Sequence, residues 1–263
     1  MNRLETYVTS IGAVSIMSLF WMGGSPPGRT AEFTPPDRGK PGRLEGAGTR
    51  LFEPPESIED GRNRGCSLNG DPDDRLTPLE PSSGLSVTVS PHPTFFVYVP
   101  ESPEGVQAEF VLFDRNQNEV YSQTVTIDKT PGLLSVSLPE TAPPLETGQP
   151  YQWFVSLICN RDDRSGDAVI GGWIQRLAPT ETFARDLENA NPLQRADLYA
   201  ETGIWQDAVA TLAHLLQSSQ IEQQGAVKAE WEELLTSVGL GEMAQVRWLD
   251  TTIDDRPQEL QAN

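Results

Sequence analysis

The sequence is poor in the side chains that most often carry out chemistry. Only two histidines and two cysteines occur among its 263 residues, and catalysis usually needs a general base or a nucleophile held by a partner. The chain also lacks a phosphate-binding Gly-rich loop, a dinucleotide-binding fingerprint and a nucleophile elbow. These absences remove the support for the common enzyme classes. We expect a protein that is not an enzyme and uses no cofactor.

Positive charge is also scarce. Nineteen Lys and Arg residues stand against 38 Asp and Glu residues, which leaves a formal net charge of −19. Such a charge repels the phosphates of nucleic acid and gives no attraction to an anionic membrane surface. We therefore expect no nucleic-acid partner, and we interpret the acidic excess as a solvated surface.

Long hydrophobic runs are missing except near the start of the chain. An apolar stretch from Ile11 to Met22 follows a weakly basic start at Arg3 and precedes the small residues Gly-Gly-Ser. The stretch is short for a membrane span and fits a signal-peptide core with a cleavage zone behind it. We expect residues 1–25 to direct export to the periplasm or the cell exterior, with membrane attachment only if this segment is retained.

Proline and glycine, in contrast, are abundant, and they concentrate before residue 85. Residues 26–84 include the basic cluster Arg38-Gly-Lys-Pro-Gly-Arg43. This composition buries too little apolar surface to offset the entropy lost on ordering, so it predicts a tether. In an oxidising compartment, Cys66 of the tether is expected to pair with Cys159. A buried free thiol is the alternative.

From Leu85 onward the pattern changes to short strands separated by turn residues. The predicted strands are 85–90, 95–99, 109–113, 119–127, 133–138, 151–159 and 168–177. Their number and spacing predict an α+β chain whose main domain, 85–179, is an antiparallel β-sandwich of immunoglobulin or fibronectin type III kind. The string Leu145-Glu-Thr-Gly-Gln-Pro-Tyr151 resembles the corner of fibronectin type III domains, where a Tyr hydroxyl ties the loop to the backbone.

After residue 179 the hydrophobic period changes from two to 3.6, which predicts a small helical unit over 180–250. Gly203 should divide two helices into a hairpin, whose spacing is similar to that of one tetratricopeptide repeat. A third helix should end at Gly239, in the position of a C-terminal cap. We expect residues 251–263 to form a flexible tail.

Two regions are candidates for binding. The loop that joins the last two strands mixes both charges at one end of the sandwich, where such folds commonly bind. Its candidate residues are Arg161, Asp162, Asp163 and Arg164, and an ion-paired hairpin loop without function is the alternative. Trp205, in the helical hairpin, is the remaining candidate.

Several ordered strings resemble one family. They include Pro91-His-Pro-Thr-Phe-Phe96, Trp153-Phe-Val-Ser-Leu-Ile-Cys159 and Gly203-Ile-Trp-Gln-Asp-Ala208. Over about 38–240 the chain resembles the family called domain of unknown function 928. The resemblance implies an exported protein of photosynthetic bacteria, and it implies no established activity.

The leading functional hypothesis is a non-enzymatic adaptor of the cell envelope or the secreted fraction. In this hypothesis the sandwich is a rigid base, and the helical unit presents a groove or face to a protein partner. The second hypothesis is a sandwich that binds a glycan or a small molecule. Glycan binding would need an exposed aromatic side chain among Tyr98, Tyr121 and Trp173.

A hydrolase is the third hypothesis. It would need His92 within hydrogen-bond reach of Asp162 or Asp163, although a His in a turn fixed by prolines more often fastens that turn. His214 lies in the middle of a predicted helix.

A metal site is not expected either. The string Asp114-Arg-Asn-Gln-Asn118 imitates a calcium loop, but Glu119 follows where Gly is required.

Overall fold

The computed structural model describes Phe33 and residues 75–81, 85–218 and 224–253. The predicted signal peptide, most of the predicted tether and residues 254–263 lie outside the described residues. Within the described part, no helix combines the length and the apolar character needed to cross a membrane. The strands are β1 (Thr77–Pro78), β2 (Leu85–Thr88), β3 (Thr94–Val99), β4 (Val106–Phe113), β5 (Glu119–Ile127), β6 (Gly132–Ser137), β7 (Pro150–Ile158), β8 (Ala168–Arg176) and β9 (Thr251–Ile253). The helices are α1 (Glu181–Asn189), α2 (Pro192–Glu201), α3 (Trp205–Ser218) and α4 (Gln224–Ser237).

The strands form two sheets that enclose one apolar core. The small sheet has the order β1-β3-β6, and the large sheet has the order β2-β8-β7-β4-β5-β9. The paired strands of the described chain are antiparallel, except that β2 runs parallel to β8. Phe95 of β3 lies at the centre, with ring centroids 4.8 Å from Phe110 and 5.5 Å from Trp153. The predicted α+β class with a β-sandwich is confirmed.

Strand β7 follows the predicted alternation. Every second residue from Tyr151 to Leu157 is buried, and the residues between them are partly exposed. The Tyr151 hydroxyl accepts a hydrogen bond from the backbone N–H of Glu146 at 2.9 Å. The predicted tie between this tyrosine and the preceding loop is therefore present, and it fixes the entry of the chain into β7.

The helices cover the outer face of the small sheet. Phe96 and Leu133 point away from the sandwich core and join a second core with Trp205 and Trp231. The ring of Trp248 lies 6.0 Å from that of Phe96, edge to face. The small sheet is consequently apolar on both faces, and the helices of 180–250 form a third layer on it.

The glycines end two helices at the predicted places. Gly203 follows α2 with a φ of 73°, and Gly239 follows α4 with a φ of 83°. The N–H of Leu240 donates to the carbonyl of Leu235 at 2.8 Å, which closes the last turn of α4. Both positive φ values favour glycine because a Cβ is disfavoured there.

Two predicted boundaries are wrong. β1 lies inside the predicted tether, pairs with β3 through Thr77 and Tyr98, and is followed by Leu79, which is 2% exposed. β9 begins the predicted flexible tail and pairs with β5 through Ile253 and Val125. Strands of two and three residues carry no measurable period, so their pairing, which depends on distant partners, was not visible in the sequence.

A carboxyl group lies where the chain crosses from the small sheet to the large one. Glu80 follows β1, and its Oε1 accepts the indole N–H of Trp153 at 3.1 Å. Gly172 leaves room for this carboxyl, because a Cβ there would lie 2.5 Å from Oε2 of Glu80. Desolvation raises the pKa of Glu80 to about 7, although the hydrogen bond from Trp153 acts to lower it. Ionisation of Glu80 therefore disfavours the folded state.

We predict that Glu80→Gln stabilises the protein above pH 7 more than at pH 5. Since the pKa is raised from 4.5 to about 7 on folding, the contribution of Glu80 to stability is full below about pH 4.5 and is lost as the pH rises through 7. Gln retains an acceptor for the indole of Trp153. Thermal unfolding should show the advantage of the variant over the wild type growing by about 2–3 kcal/mol, or about 5–10 °C in Tm, between pH 5 and pH 8.

Glu104→Gln, on an exposed loop, is the matched control for the loss of one carboxylate. A Glu80→Gln advantage of the same size at both pH values would contradict the assignment of this pH dependence to Glu80.

Cys159 lies directly after β7, at the edge of the sandwich core. It is half-buried, it packs against that core, and its Sγ lies 3.4 Å from the carbonyl oxygen of Gly166. Cys66 is outside the described residues. The bond between Cys66 and Cys159 therefore stays a prediction.

Peptide mapping of the protein, produced in an oxidising compartment and analysed without reducing agent, should find Cys66 linked to Cys159. Because the bond would close a loop of about 90 residues, Cys66→Ser should lower the free energy of unfolding by roughly 4 kcal/mol. The wild-type protein in reducing agent should match the variant. Rapid alkylation of both cysteines in the native, unreduced protein would refute the bond.

Candidate functional site

A cleft of about 660 Å³ lies between the sandwich and the helical layer. One wall is the segment that leads from the end of β2 into β3, and the other wall is made by α2 and α3. Ligand pockets typically fall between about 300 and 1,000 Å³, so this volume is sufficient for a ligand. Its polar lining includes His92, Arg195, Tyr199, Gln206, Asp207 and His214.

Asp207 joins the two walls. It lies in the first turn of α3, where a carboxylate is favoured by the helix dipole. Its Oδ2 accepts the backbone N–H of Val89 at 3.0 Å. Desolvation raises the pKa of Asp207 to about 6, while hydrogen bonds from Thr88, Val89 and Ser90 act to lower it. The acid thus fastens the start of α3 to the end of β2.

Gln206 forms a second connection between the walls. Its Nε2 donates to the carbonyl of Thr94, at the start of β3. If the register that pairs Thr77 with Tyr98 continued, it would place Pro81 opposite Thr94, and Pro has no N–H to donate. The side chain of Gln206 supplies that missing donor. Gln206 is 3% exposed, and its Oε1 is buried without a hydrogen-bond partner.

Tyr199 lies between opposite charges. Desolvation and the nearby carboxylate of Asp207 raise the pKa of the Tyr199 hydroxyl, and the guanidinium of Arg195 acts to lower it. The Nε of Arg195 is itself held at the end of α1, where it donates to the carbonyl oxygens of Leu187 at 3.0 Å and Ala190 at 3.2 Å. The carboxyl group of Asp207, the phenol of Tyr199 and the guanidinium of Arg195 therefore lie one after another along the cleft.

Both histidines of the chain line this cleft, but they are held differently. The Nε2 of His92 lies 3.1 Å from the carbonyl oxygen of Ala142. His92 therefore fastens its turn, as expected for a His between two prolines. His214 is exposed on the outer part of α3.

The pairing that a hydrolase would need is not supported by the topology. The carbonyl of Pro91 accepts the N–H of Leu145 at 2.9 Å, which places the His92 turn near the start of β7. Asp162 and Asp163 follow the end of β7, a strand of nine residues. At about 3.3 Å per residue the two ends are roughly 27 Å apart, far beyond hydrogen-bond reach.

The charges of the loop after β7 are largely used within the sandwich. Arg164 pairs with Glu109 of β4 at 2.8 Å and with Asp167. Asp163 accepts the backbone N–H of Ser165 at 3.1 Å, and the hydrogen bonds from Ser165 lower the pKa of Asp163. These contacts match the alternative of an ion-paired hairpin loop.

Arg161 and Asp162 are exposed at the tip of this loop. The loop and the cleft lie at opposite ends of β7. The structure therefore does not bring Arg161, Asp162, Asp163 or Arg164 together with the cleft.

Trp205 is not accessible at the surface of the folded chain. Its side chain is 0% exposed, and its indole N–H donates to the carbonyl of Leu79 at 2.7 Å. Trp205, a binding candidate from the sequence, is therefore placed in the second core and not on the exposed surface.

The aromatic residues considered for a glycan are not exposed. Tyr98, Tyr121 and Trp173 are each partly buried. Among the described residues, the exposed large hydrophobic side chain is that of Ile253, at 57%. The flat, exposed ring on which a sugar could stack is therefore missing from the described surface.

The sequence interpretation missed the polar lining of the cleft. Gln206 and Asp207 stand in a string that was noted for its resemblance to a family, yet no local pattern links them to Thr94 and Val89. The available sign of this lining was a helix in which two polar residues directly follow a Trp. Helix capping alone explains such residues equally well.

The two histidines provide a matched pair of variants. His92→Ala should lower the free energy of unfolding by about 0.5–1.5 kcal/mol, because the bond to Ala142 is lost. His214→Ala should change it by less than about 0.5 kcal/mol, as is usual for exposed sites. Urea denaturation measures both values. Equal effects of the two substitutions would contradict the fastening role of His92.

Comparison with known proteins gives one family. No curated protein matches the chain at a significant level. The family model described as Domain of Unknown Function (DUF928) matches residues 59–248, a range that includes β1 to β8 and all four described helices. The match covers well over half of the chain, and it confirms the family suggested by the ordered strings. The chain therefore belongs to the family Domain of Unknown Function (DUF928).

Proposed function

We propose that this protein is a non-enzymatic adaptor of the cell envelope, and that it binds a segment of a partner protein in the cleft between the sandwich and the helical layer. The observation that carries the proposal is the construction of the cleft. Its walls come from two different layers and are fastened to each other by Asp207 and Gln206.

The fastened walls favour binding, because a preformed site does not have to be ordered by the ligand. The N-terminal end of α3 is fixed by Asp207 to Val89 and by Gln206 to Thr94. Arg195 is fixed by the end of α1. A partner would therefore meet an arrangement of polar groups that is already in place.

The length of the cleft favours an extended peptide over a compact ligand. The lining residues of α3 run from Gln206 to Ser218. Twelve residues of helix at 1.5 Å each span about 18 Å, which equals about five residues of extended chain. Ser90, Thr94 and Tyr199 offer hydroxyl groups, and Leu215 offers apolar surface, as a peptide backbone with side chains requires.

Three finer interpretations belong to this proposal. We propose export of the protein through residues 1–25, on the support of the apolar run in the sequence. An immunoglobulin-like or fibronectin-like sandwich is supported by the strand order and by the tie between Tyr151 and Glu146. A tetratricopeptide-like hairpin is supported by the turn at Gly203 between α2 and α3.

A photo-reactive amino acid introduced at His214 should test the proposal in cells. This position is exposed and lines the cleft. We expect it to capture one defined partner protein, whereas the same group at Glu104, on a loop at the other end of β3, should not capture it. Deletion of everything after Pro179 is less informative, because it would expose the outer face of the small sheet.

Ala210→Trp provides the occupancy control. It places a large ring in the cleft and should abolish capture at position 214 in a protein that retains its thermal unfolding transition. Adducts at position 214 that are absent, or identical to those at position 104, would contradict the proposal.

A further inference from the structure

Phe33 belongs to the folded core although it lies far from the other described residues in the sequence. It is 6% exposed and is part of the second core, the apolar cluster between the small sheet and the helices. It falls within the stretch that the composition predicts to be a tether. The burial of a large apolar side chain from a predicted tether therefore requires a physical explanation.

The contact that holds Phe33 is specific in its geometry. The ring meets Trp205 edge to face, with centroids 4.8 Å apart and an interplanar angle of 76°. This arrangement is favoured between aromatic rings beyond the burial of area alone. Trp205 is itself immobilised, because its N–H is bonded to Leu79 and its side chain is fully buried. A rigid surface is therefore available to an aromatic ring at this place.

Chain connectivity does not force Phe33 into this position. Forty-one residues, 34–74, separate it from the next described segment. A chain of that length can reach any part of a domain of this size. Phe33 must therefore be held by its own contacts.

The sequence around Phe33 resembles that of a short linear ligand. Between Pro26 and Gly42, Phe33 is the single large apolar residue, and two prolines follow it at positions 35 and 36. Prolines restrict the backbone, which lowers the entropy lost when such a segment docks. One aromatic side chain in a polar sequence that contains prolines is the kind of partner that an apolar site beside a fixed indole can accept.

We propose that the second core contains a docking site for an aromatic side chain, beside Trp205, and that the side chain of Phe33 is the ligand that occupies it in cis. The site is separate from the cleft, since neither Trp205 nor Leu79 lines the cleft. The proposal is independent of the adaptor function. It assigns a role to a part of the chain that composition alone assigns to a linker.

The test uses the exported protein and its Phe33→Ala variant. The variant should lose roughly 5–10 °C in Tm, because the ring is removed from a buried site. A synthetic peptide with the sequence of residues 28–38, added at millimolar concentration, should raise the Tm of the variant by about 2–4 °C, since a ligand that binds only the folded state stabilises it. The same peptide with Ala in place of Phe33 should have no effect.

The Tm of the wild-type protein with added peptide is the second measurement in this test. The peptide should not raise its Tm, because the site is already filled in cis. If Phe33→Ala does not fold, Phe33→Leu takes its place, with the same two peptides and the same expected difference between them. An unchanged Tm for the variant would overturn the proposal. A variant stabilised equally by both peptides, or by neither, would also overturn it, because Phe33 would then not be the ligand of a site that acts in trans.

Discussion

The structure depends on one strand whose two faces are both buried. In β3, Phe95 points into the sandwich core and Phe96 points into the core under the helices. Burial of a Phe side chain contributes about 1.5–3 kcal/mol, so neighbouring residues of one strand stabilise two different layers. The sandwich and the helices cannot be separated without exposing one of these faces.

This constraint also creates the cleft. The segment from the end of β2 enters β3 beside the first turn of α3, because α3 packs on the outer face of the same sheet. The open edge of β3 at Thr94 is completed by Gln206 instead of by a further strand, and Asp207 binds the end of β2. The polar lining of the cleft is thus a consequence of how a helix is joined to a strand edge. It also preforms the cleft in which we propose that a partner segment binds.

The local hydrophobic period was sufficient to predict the strands and helices, but it was insufficient to predict how they pack together. The alternation in β7 and the 3.6-residue period of α3 and α4 each depend on one face meeting a core, and both were visible in the sequence. The apolar run over 95–99 was predicted to be a strand, but the pattern could not say that helices would cover its second face. That answer requires knowledge of which distant residues meet.

The missed features share this non-local origin. The carboxylate of Asp207 binds a backbone group 118 residues away, and Phe33 reaches Trp205 across an even longer interval. Trp205 was a binding candidate, and the sequence could not place it, because a Trp at a helix start can be exposed or buried with the same local sequence. Only the contact with Leu79, from a segment predicted to be a tether, decides between the two.

Equilibrium unfolding of the protein labelled with 5-fluorotryptophan would test the central claim that β3 couples the two cores. Fluorine NMR resolves Trp153 of the sandwich core from Trp205 of the helical core in one urea titration. The account predicts that both native resonances disappear with the same midpoint, since the small sheet serves both cores. Loss of the Trp205 resonance at a lower urea concentration, with that of Trp153 unchanged, would show that the helical layer unfolds alone and would contradict the account.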